Sequence, residues 1–180
     1  MTFNGKEATT SLDICQLFSK KFASVFTDET LSDHHVERAA SYTARSGQAL
    51  STIHLDATMI SRACSKLKSS LNPGPDGIPS KFLKKQIANL ISPLQHVFQL
   101  SVTSGIFPSC WKLAYMFPVH KKENKHDVSN YRGITSLCAV AKLFELVIME
   151  PLLAHCKAFI STDQHGFTAG RSNRTLPVAV

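Results

Sequence analysis

The residues of this sequence that could do chemistry are mainly cations in its middle part. Residues 61–130 hold ten Lys and Arg side chains against three Asp and Glu, a balance of +7 that equals the net charge of the 180-residue chain. The ten are Arg62, Lys66, Lys68, Lys81, Lys84, Lys85, Lys112, Lys121, Lys122 and Lys125. A local excess of positive charge favours a polyanionic partner, because each neutralised phosphate releases condensed counterions. A solvated, lysine-rich surface explains the charge equally well, so charge alone leaves both interpretations open.

The cysteines and histidines show no metal-binding or disulfide pattern. The five cysteines are far apart and form no Cys-x-x-Cys pair, which suits a reducing compartment. His34 and His35 have no partner at ligand spacing, which favours solvated side chains. No apolar run approaches the ~20 residues of a membrane span, and the first ten residues lack the apolar stretch of a secretory signal. We therefore expect an intracellular protein, in the cytoplasm or nucleus, without membrane contact.

The elements that must position the cations are mostly helical. Apolar residues at three- and four-residue spacing predict helices over 11–26, 56–70, 80–91, 92–105 and 139–150. Thr10 and Asp13 should cap the first helix, and Ser92 with Pro93 should separate the third from the fourth. Gly105 suits a helix C-cap, whereas Pro151 should kink or end the last helix.

Two short strands should form one β-hairpin. Residues 113–119 are predicted to form a short strand that ends near Pro118, residues 131–137 are their expected partner, and the connection between them is long and rich in lysine. Trp111 is assigned to core packing. Residues 27–53 read as a polar linker and 161–180 as a loop.

Several short signatures follow one another along the chain. They are Asn72-Pro73-Gly74-Pro75-Asp76-Gly77-Ile78-Pro79, Phe107-Pro108-x-x-Trp111-Lys112, Phe117-Pro118-Val119-His120-Lys121-Lys122, Asn130-Tyr131-Arg132-Gly133-Ile134 and Gln164-His165-Gly166-Phe167-x-x-Gly170-Arg171-Ser172. Each is weak alone, but the ordered set is specific. In order and spacing they closely resemble the N-terminal half of the reverse transcriptase domain of non-LTR retrotransposons, especially the jockey-like arthropod elements. The resemblance covers roughly residues 60–175.

This resemblance implies an α+β fold that is mostly helical, with reverse-transcriptase fingers carrying one β-hairpin and with an incomplete palm. Residues 1–55 would be an N-terminal helix and polar linker preceding the domain. Residues 56–180 would be a truncated reverse transcriptase domain, comprising the fingers and the entry to the palm. The implied partners are an RNA template, a DNA primer and a deoxynucleoside triphosphate, and no oligomeric state follows.

The resemblance also assigns two groups of site residues. It places Lys121 and Arg132 on the nucleotide triphosphate, where an ammonium and a guanidinium on adjacent strands can hold a polyanion from two sides. The alternative is that the lysines of the connection only solubilise the hairpin. It places five residues on the template side, namely Gln164, Gly166, Phe167, Gly170 and Arg171. There the alternative is that Phe167 packs into the core. The turn at 72–77 would lie near the template, but a purely structural turn is equally compatible.

The sequence departs from the family in ways that bear on activity. Gly133 stands where the family usually has proline. Polymerisation in the family needs Mg²⁺ held by aspartates on a later strand and in a Tyr-x-Asp-Asp turn. No Asp-Asp pair occurs in this sequence, and its last acidic residue is Asp163. We expect no catalytic residue, metal site or cofactor in this chain, and hence a polymerase fragment that is inactive alone. The alternative is a non-enzymatic, basic nucleic-acid-binding module, a retrotransposon relic.

Overall fold

A computed structural model describes residues 1–26, 50, 52–157 and 160 of the protein. These residues form four α-helices and two antiparallel two-stranded sheets, which confirms a mixed α+β fold. The strands are β1 (Thr2–Phe3), β2 (Lys6–Glu7), β3 (Ala114–His120) and β4 (Tyr131–Leu137), and the helices are α1 (Ser11–Ala23), α2 (Ala57–Lys66), α3 (Ser80–Ser104) and α4 (Ala139–Cys156). None of the described helices has the length and apolar character needed to cross a bilayer. The predicted linker and C-terminal loop lie almost entirely outside the described residues.

The N-terminal segment contains the predicted helix and a hairpin that was not predicted. Helix α1 begins as expected, with the Thr10 hydroxyl accepting a hydrogen bond from the Asp13 amide at 3.2 Å. Before it, β1 pairs with β2 around Asn4 and Gly5, whose φ angles are 48° and 74°. Positive φ at both central residues is typical of a type I′ turn, for which Asn-Gly is favoured. The expectation of one hairpin was therefore wrong, because strands of two residues show no alternating pattern.

Helix α2 begins where predicted but ends earlier, at Lys66. The Asp56 carboxylate caps its first turn, and hydrogen bonds from this turn lower the pKa of that carboxyl. At the other end, the Lys84 ammonium donates to the carbonyls of Ser65 and Leu67, at 3.0 and 2.7 Å. A side chain from α3 thus satisfies carbonyls that the end of α2 leaves free.

Helix α3 replaces the two helices predicted on either side of Pro93. It runs unbroken through this proline and ends at Gly105, which has the predicted left-handed conformation with a φ of 67°. Ser92 and Pro93 therefore do not separate two helices, and that prediction was wrong. An internal proline removes one helical hydrogen bond. The helix nevertheless buries Leu83 before the proline and Phe98 after it, so packing of one continuous face outweighs the local loss.

Strands β3 and β4 form the predicted hairpin. Their antiparallel register runs from Ala114 opposite Leu137 to His120 opposite Tyr131. The connection, residues 121–130, ends in a short 3-10 turn. Most side chains of both strands are exposed, so the rest of the described chain covers little of the hairpin.

The larger core lies among α2, α3 and α4. Trp111 is 8% exposed, and its ring centroid lies 5.6 Å from that of Phe98, 5.6 Å from Phe107 and 5.3 Å from Phe144. This aromatic cluster confirms that the tryptophan packs in the core. Helix α4 continues past Pro151, so the proline does not end it. A second, smaller core joins the N-terminal segment to the hairpin connection and consists of Ala8, Leu17, Phe18 and Val128.

Candidate nucleic-acid interface

The β3–β4 hairpin places Lys121 and Arg132 on the same side. Arg132 lies opposite Val119 in the register, and the Lys121 amide continues the ladder by donating to the Asn130 carbonyl at 2.8 Å. Because side chains alternate along a strand, Val119 shares a face with Arg132, and Lys121, one position past the end of β3, follows the same alternation. Both cationic side chains are exposed, and neither makes a hydrogen bond or ion pair within the described part of the chain. Two uncompensated positive charges therefore lie beside each other.

The same face of the hairpin borders an open cavity of about 620 Å³. Phe117 and Ser136, which share a face with Arg132 in the register, line its hairpin side. The other walls come from the end of α2, the turn at 72–78 and the first half of α4. The Phe117 side chain is 54% exposed, and that of Tyr115 two residues earlier is 50% exposed. Aromatic surface therefore lies next to the hairpin cations.

Three lysines line this cavity, against one acidic residue, Glu145. Lys68 is exposed and has no side-chain partner among the described residues, whereas Lys66 lies 3.9 Å from Glu150. The Lys142 ammonium donates to the Ser136 hydroxyl at 3.4 Å. We call the surface made of Lys66, Lys68, Lys142, Lys121 and Arg132 the basic face. Of these five cations, only Lys66 lies within ion-pair distance of a described carboxylate.

Some cations of residues 61–130 make contacts within the protein and are not free to bind a ligand. The Lys84 ammonium donates to carbonyls at the end of α2, as described above. The Arg62 guanidinium donates to the Glu150 carboxylate at 2.7 Å and so joins α2 to α4. These two residues hold helices together. Part of the charge that suggested a polyanion partner therefore has a structural role.

The turn at 72–77 is held by its own contacts. A Cβ on Gly74 would lie 2.6 Å from the Cα of Cys138, so glycine permits the turn to touch the start of α4. The Asp76 carboxylate accepts a hydrogen bond from the Ile78 amide at 3.1 Å, and Gly77 has a φ of 71°. Gly74 therefore makes its close approach to the chain's own backbone. This favours the structural interpretation of the turn, which also forms one cavity wall.

The described carboxylates do not form a metal site. Within residues 1–26 and 52–157, no group of three or more His, Cys, Asp or Glu side chains could hold a metal ion. Asp127 instead accepts hydrogen bonds from the Ser129 hydroxyl at 2.6 Å and amide at 2.8 Å, which lower the pKa of its carboxyl. Glu123 lies 3.4 Å from the Lys122 ammonium. Both carboxylates are therefore engaged with neighbouring residues of the hairpin connection.

The predicted template-side residues fall outside the described part of the chain. These are Gln164, Gly166, Phe167, Gly170 and Arg171, and His34 and His35 also lie outside it. Their assigned roles stay predictions.

Lys21 is a cation that the sequence analysis missed. Its ammonium, on α1, donates to the carbonyls of Val128 at 2.8 Å, Ser129 at 2.9 Å and Tyr131. Partial burial lowers the pKa of Lys21, and the nearby Asp127 charge opposes this. The sequence shows an ordinary lysine in the last turn of an amphipathic helix, with no signal linking it to a segment more than a hundred residues later.

Comparison with known proteins gives two partial similarities, and no protein-family model matches. The chain is 32% identical over 101 residues to a probable RNA-directed DNA polymerase from transposon X-element of Drosophila melanogaster, covering 54% of this chain and 11% of that protein. It is 28% identical over 123 residues to a putative 115 kDa protein in a type-1 retrotransposable element of the same fly, covering 65% and 12%. The chain thus spans about a tenth of these curated relatives. The similarities support a retrotransposon-related origin.

Proposed function

We propose that this chain is the fingers and palm entry of a reverse transcriptase from a non-LTR retrotransposon. In this proposal the basic face binds single-stranded nucleic acid and the phosphates of a nucleotide. The observation that carries it is the placement of Lys121 and Arg132, unpaired and exposed, on one hairpin face beside a lysine-lined cavity. The similarity to the transposon polymerase of the fly supports the same assignment.

Lys121 and Arg132 have the chemistry to hold a triphosphate. An ammonium acts as a compact charge, whereas a guanidinium can bind two phosphate oxygens with paired N–H groups. Phe117 and Tyr115 offer exposed rings on which bases can stack. The template-side role of Gln164, Gly166, Phe167, Gly170 and Arg171 is part of the same proposal.

The chain alone should bind but not polymerise. Phosphoryl transfer between nucleotides needs metal ions held by carboxylates, and Asp76, Glu123 and Asp127 are engaged in turns or with a neighbouring lysine. A cationic clamp orients a nucleotide but does not supply the charge stabilisation of in-line displacement. We expect no primer extension with Mg²⁺ or Mn²⁺.

The binding proposal can be tested by fluorescence anisotropy with a labelled oligouridine. We expect binding at low salt that weakens steeply as salt rises, with a log–log slope that falls by ~0.7 for each phosphate contact removed. Lys121→Met and Arg132→Met should each weaken binding by about tenfold, the effect of one charge-assisted hydrogen bond. Lys85→Met is the matched control, because Lys85 is exposed on α3 and does not line the cavity. Equal losses of affinity in all three variants would show that binding depends on overall positive charge, and this would refute a specific site at Lys121 and Arg132.

A second candidate function is a non-enzymatic nucleic-acid-binding module. The carboxylates of Asp76, Glu123 and Asp127 favour this function, because they stabilise turns or pair with a neighbouring lysine. Both candidates predict no incorporation of labelled deoxynucleotide on a primed RNA template. Incorporation above that of heat-inactivated protein would refute both the inactivity and the module.

A further inference from the structure

The N-terminal segment is packed against the hairpin that carries the proposed nucleotide-binding pair. The Phe18 ring on α1 meets the Tyr131 ring edge-on, with centroids 5.0 Å apart. Gly133 lies beneath Met116 and Phe22, since a Cβ there would be 2.8 Å from the Met116 sulfur and 3.4 Å from the Phe22 ring. Helix α1 therefore contacts β4 at the residues flanking Arg132.

The strongest polar link in this contact is the Lys21 ammonium. It has three N–H donors, and the carbonyls of Val128, Ser129 and Tyr131 take all three. Lys21 is half-buried and forms no ion pair with a described carboxylate. Its positive charge thus interacts with backbone carbonyl dipoles at the end of the hairpin connection.

These carbonyls belong to the backbone segment that positions both binding cations. Asn130, between Ser129 and Tyr131, accepts the hydrogen bond of the Lys121 amide, and Arg132 follows Tyr131 directly. A shift of residues 128–131 would therefore move both cations at once. Helix α1 lies on the side of the hairpin occupied by Met116 and Pro118, opposite the face of Phe117 and Arg132.

We propose that Lys21 is a positioning residue that fixes the hairpin connection and so sets the spacing of Lys121 and Arg132. This inference rests on the proposed function, since the two cations are its readout. It also makes residues 1–26 a functional part of the binding unit. Lys21 itself does not touch the bound phosphates, because its donors are already occupied.

The test compares Lys21→Met with Lys20→Met in the full chain. Lys20 is the exposed neighbour on α1, so both variants remove one positive charge from the same turn. Two quantities are measured: the affinity for labelled oligouridine, and the hydrogen-exchange rate of the Lys121 amide. The affinity is measured again after adding Lys121→Met and Arg132→Met together.

We expect Lys21→Met to weaken binding by about tenfold and Lys20→Met by about twofold or less. The loss caused by Lys21→Met should disappear in the background lacking both cations, because the residue acts through them. The Lys121 amide should exchange about tenfold faster in Lys21→Met and at the parent rate in Lys20→Met. Equal affinities in the two single variants would overturn the positioning role.

Two further outcomes remain decisive. If the parent chain binds no oligouridine, the proposed function fails. The hydrogen-exchange rate of the Lys121 amide then tests the role of Lys21 by itself. An unchanged rate in Lys21→Met overturns the positioning role. If Lys21→Met does not fold, Lys21→Arg replaces it, because a planar guanidinium cannot direct three donors to converging carbonyls as an ammonium does. Parent-like protection of the Lys121 amide in that variant would also overturn the proposal.

Discussion

Replacing Gly74 by alanine should destabilise the protein more than the same change at Gly77. A Cβ on Gly74 would meet the Cα of Cys138 at 2.6 Å and the carbonyl oxygen of Leu137 at 2.9 Å. Non-bonded carbon atoms prefer about 3.5–4.0 Å, so the contact is too short by roughly 1 Å. The opposing atoms are backbone at the start of α4 and cannot rotate away. Either the turn or the helix must move.

The two positions differ in the kind of strain that alanine adds. At Gly74 the clash should cost about 3 kcal/mol, the upper part of the range for overpacking. At Gly77 the added Cβ meets nothing within 4 Å, and the cost is the left-handed φ of 71°, roughly 1–2 kcal/mol. Each alanine also lowers the conformational entropy of the unfolded chain, which stabilises the folded state by about 0.4–1 kcal/mol. We expect net losses of about 2 kcal/mol at Gly74 and about 1 kcal/mol or less at Gly77.

Urea denaturation followed by tryptophan fluorescence measures both variants. Trp111 is the single tryptophan of the chain and is buried in the core, so its emission reports unfolding. A loss of about 2 kcal/mol corresponds to a fall in Tm of about 4–8 °C for a chain of this size. If Gly74→Ala proves no more destabilising than Gly77→Ala, the turn does not pack on α4 as described.

The core and its thiols give two more predictions. Phe98→Ala should lower the free energy of unfolding, measured by urea denaturation, by about 3–5 kcal/mol because the ring is fully buried. Phe82→Ala, at a position 52% exposed, should change it by less than about 0.5 kcal/mol. Similar losses in the two variants would contradict the assigned core. Burial raises the pKa of the Cys64 and Cys138 thiols, so these should resist a thiol reagent that modifies exposed Cys15 rapidly. Because the native state keeps protons that the unfolded state releases, the free energy of unfolding should fall as pH rises above ~8.5. Denaturation one unit on either side of that pH checks the sign, and a rise would refute it.

The hairpin was predictable because its information is local. Residues 113–119 are a short apolar run that ends near Pro118, and their partner strand follows after one connection, so the pairing comes from neighbouring residues. The caps at Thr10 and Gly105 belong to the same class, since each acts within a few residues.

The long helix and the Lys21 contact were not predictable for the opposite reason. Pro93 carries a strong local signal for a break, and packing of Phe98 against residues outside its helix overrides that signal. Lys21 meets carbonyls more than a hundred positions away, and backbone carbonyls carry no sequence signature at all. The candidate site depends on both kinds of information: the strand pattern puts Lys121 and Arg132 on one face, but tertiary packing sets their spacing.

Charge counting gave equal weight to a polyanion site and to a solvated surface, and the placement of the charges separates the two. Arg62 and Lys84 are used in helix packing, so the total overstates what a ligand could meet. Some of the remaining cations share one region: Lys66 and Lys68 line one cavity together with Lys142, and Arg132 lies on the hairpin face that contributes Phe117 and Ser136 to that cavity. Like charges on one surface repel one another. Binding of an anion relieves that repulsion and stabilises the folded state by mass action, which is why the grouping favours a polyanion partner.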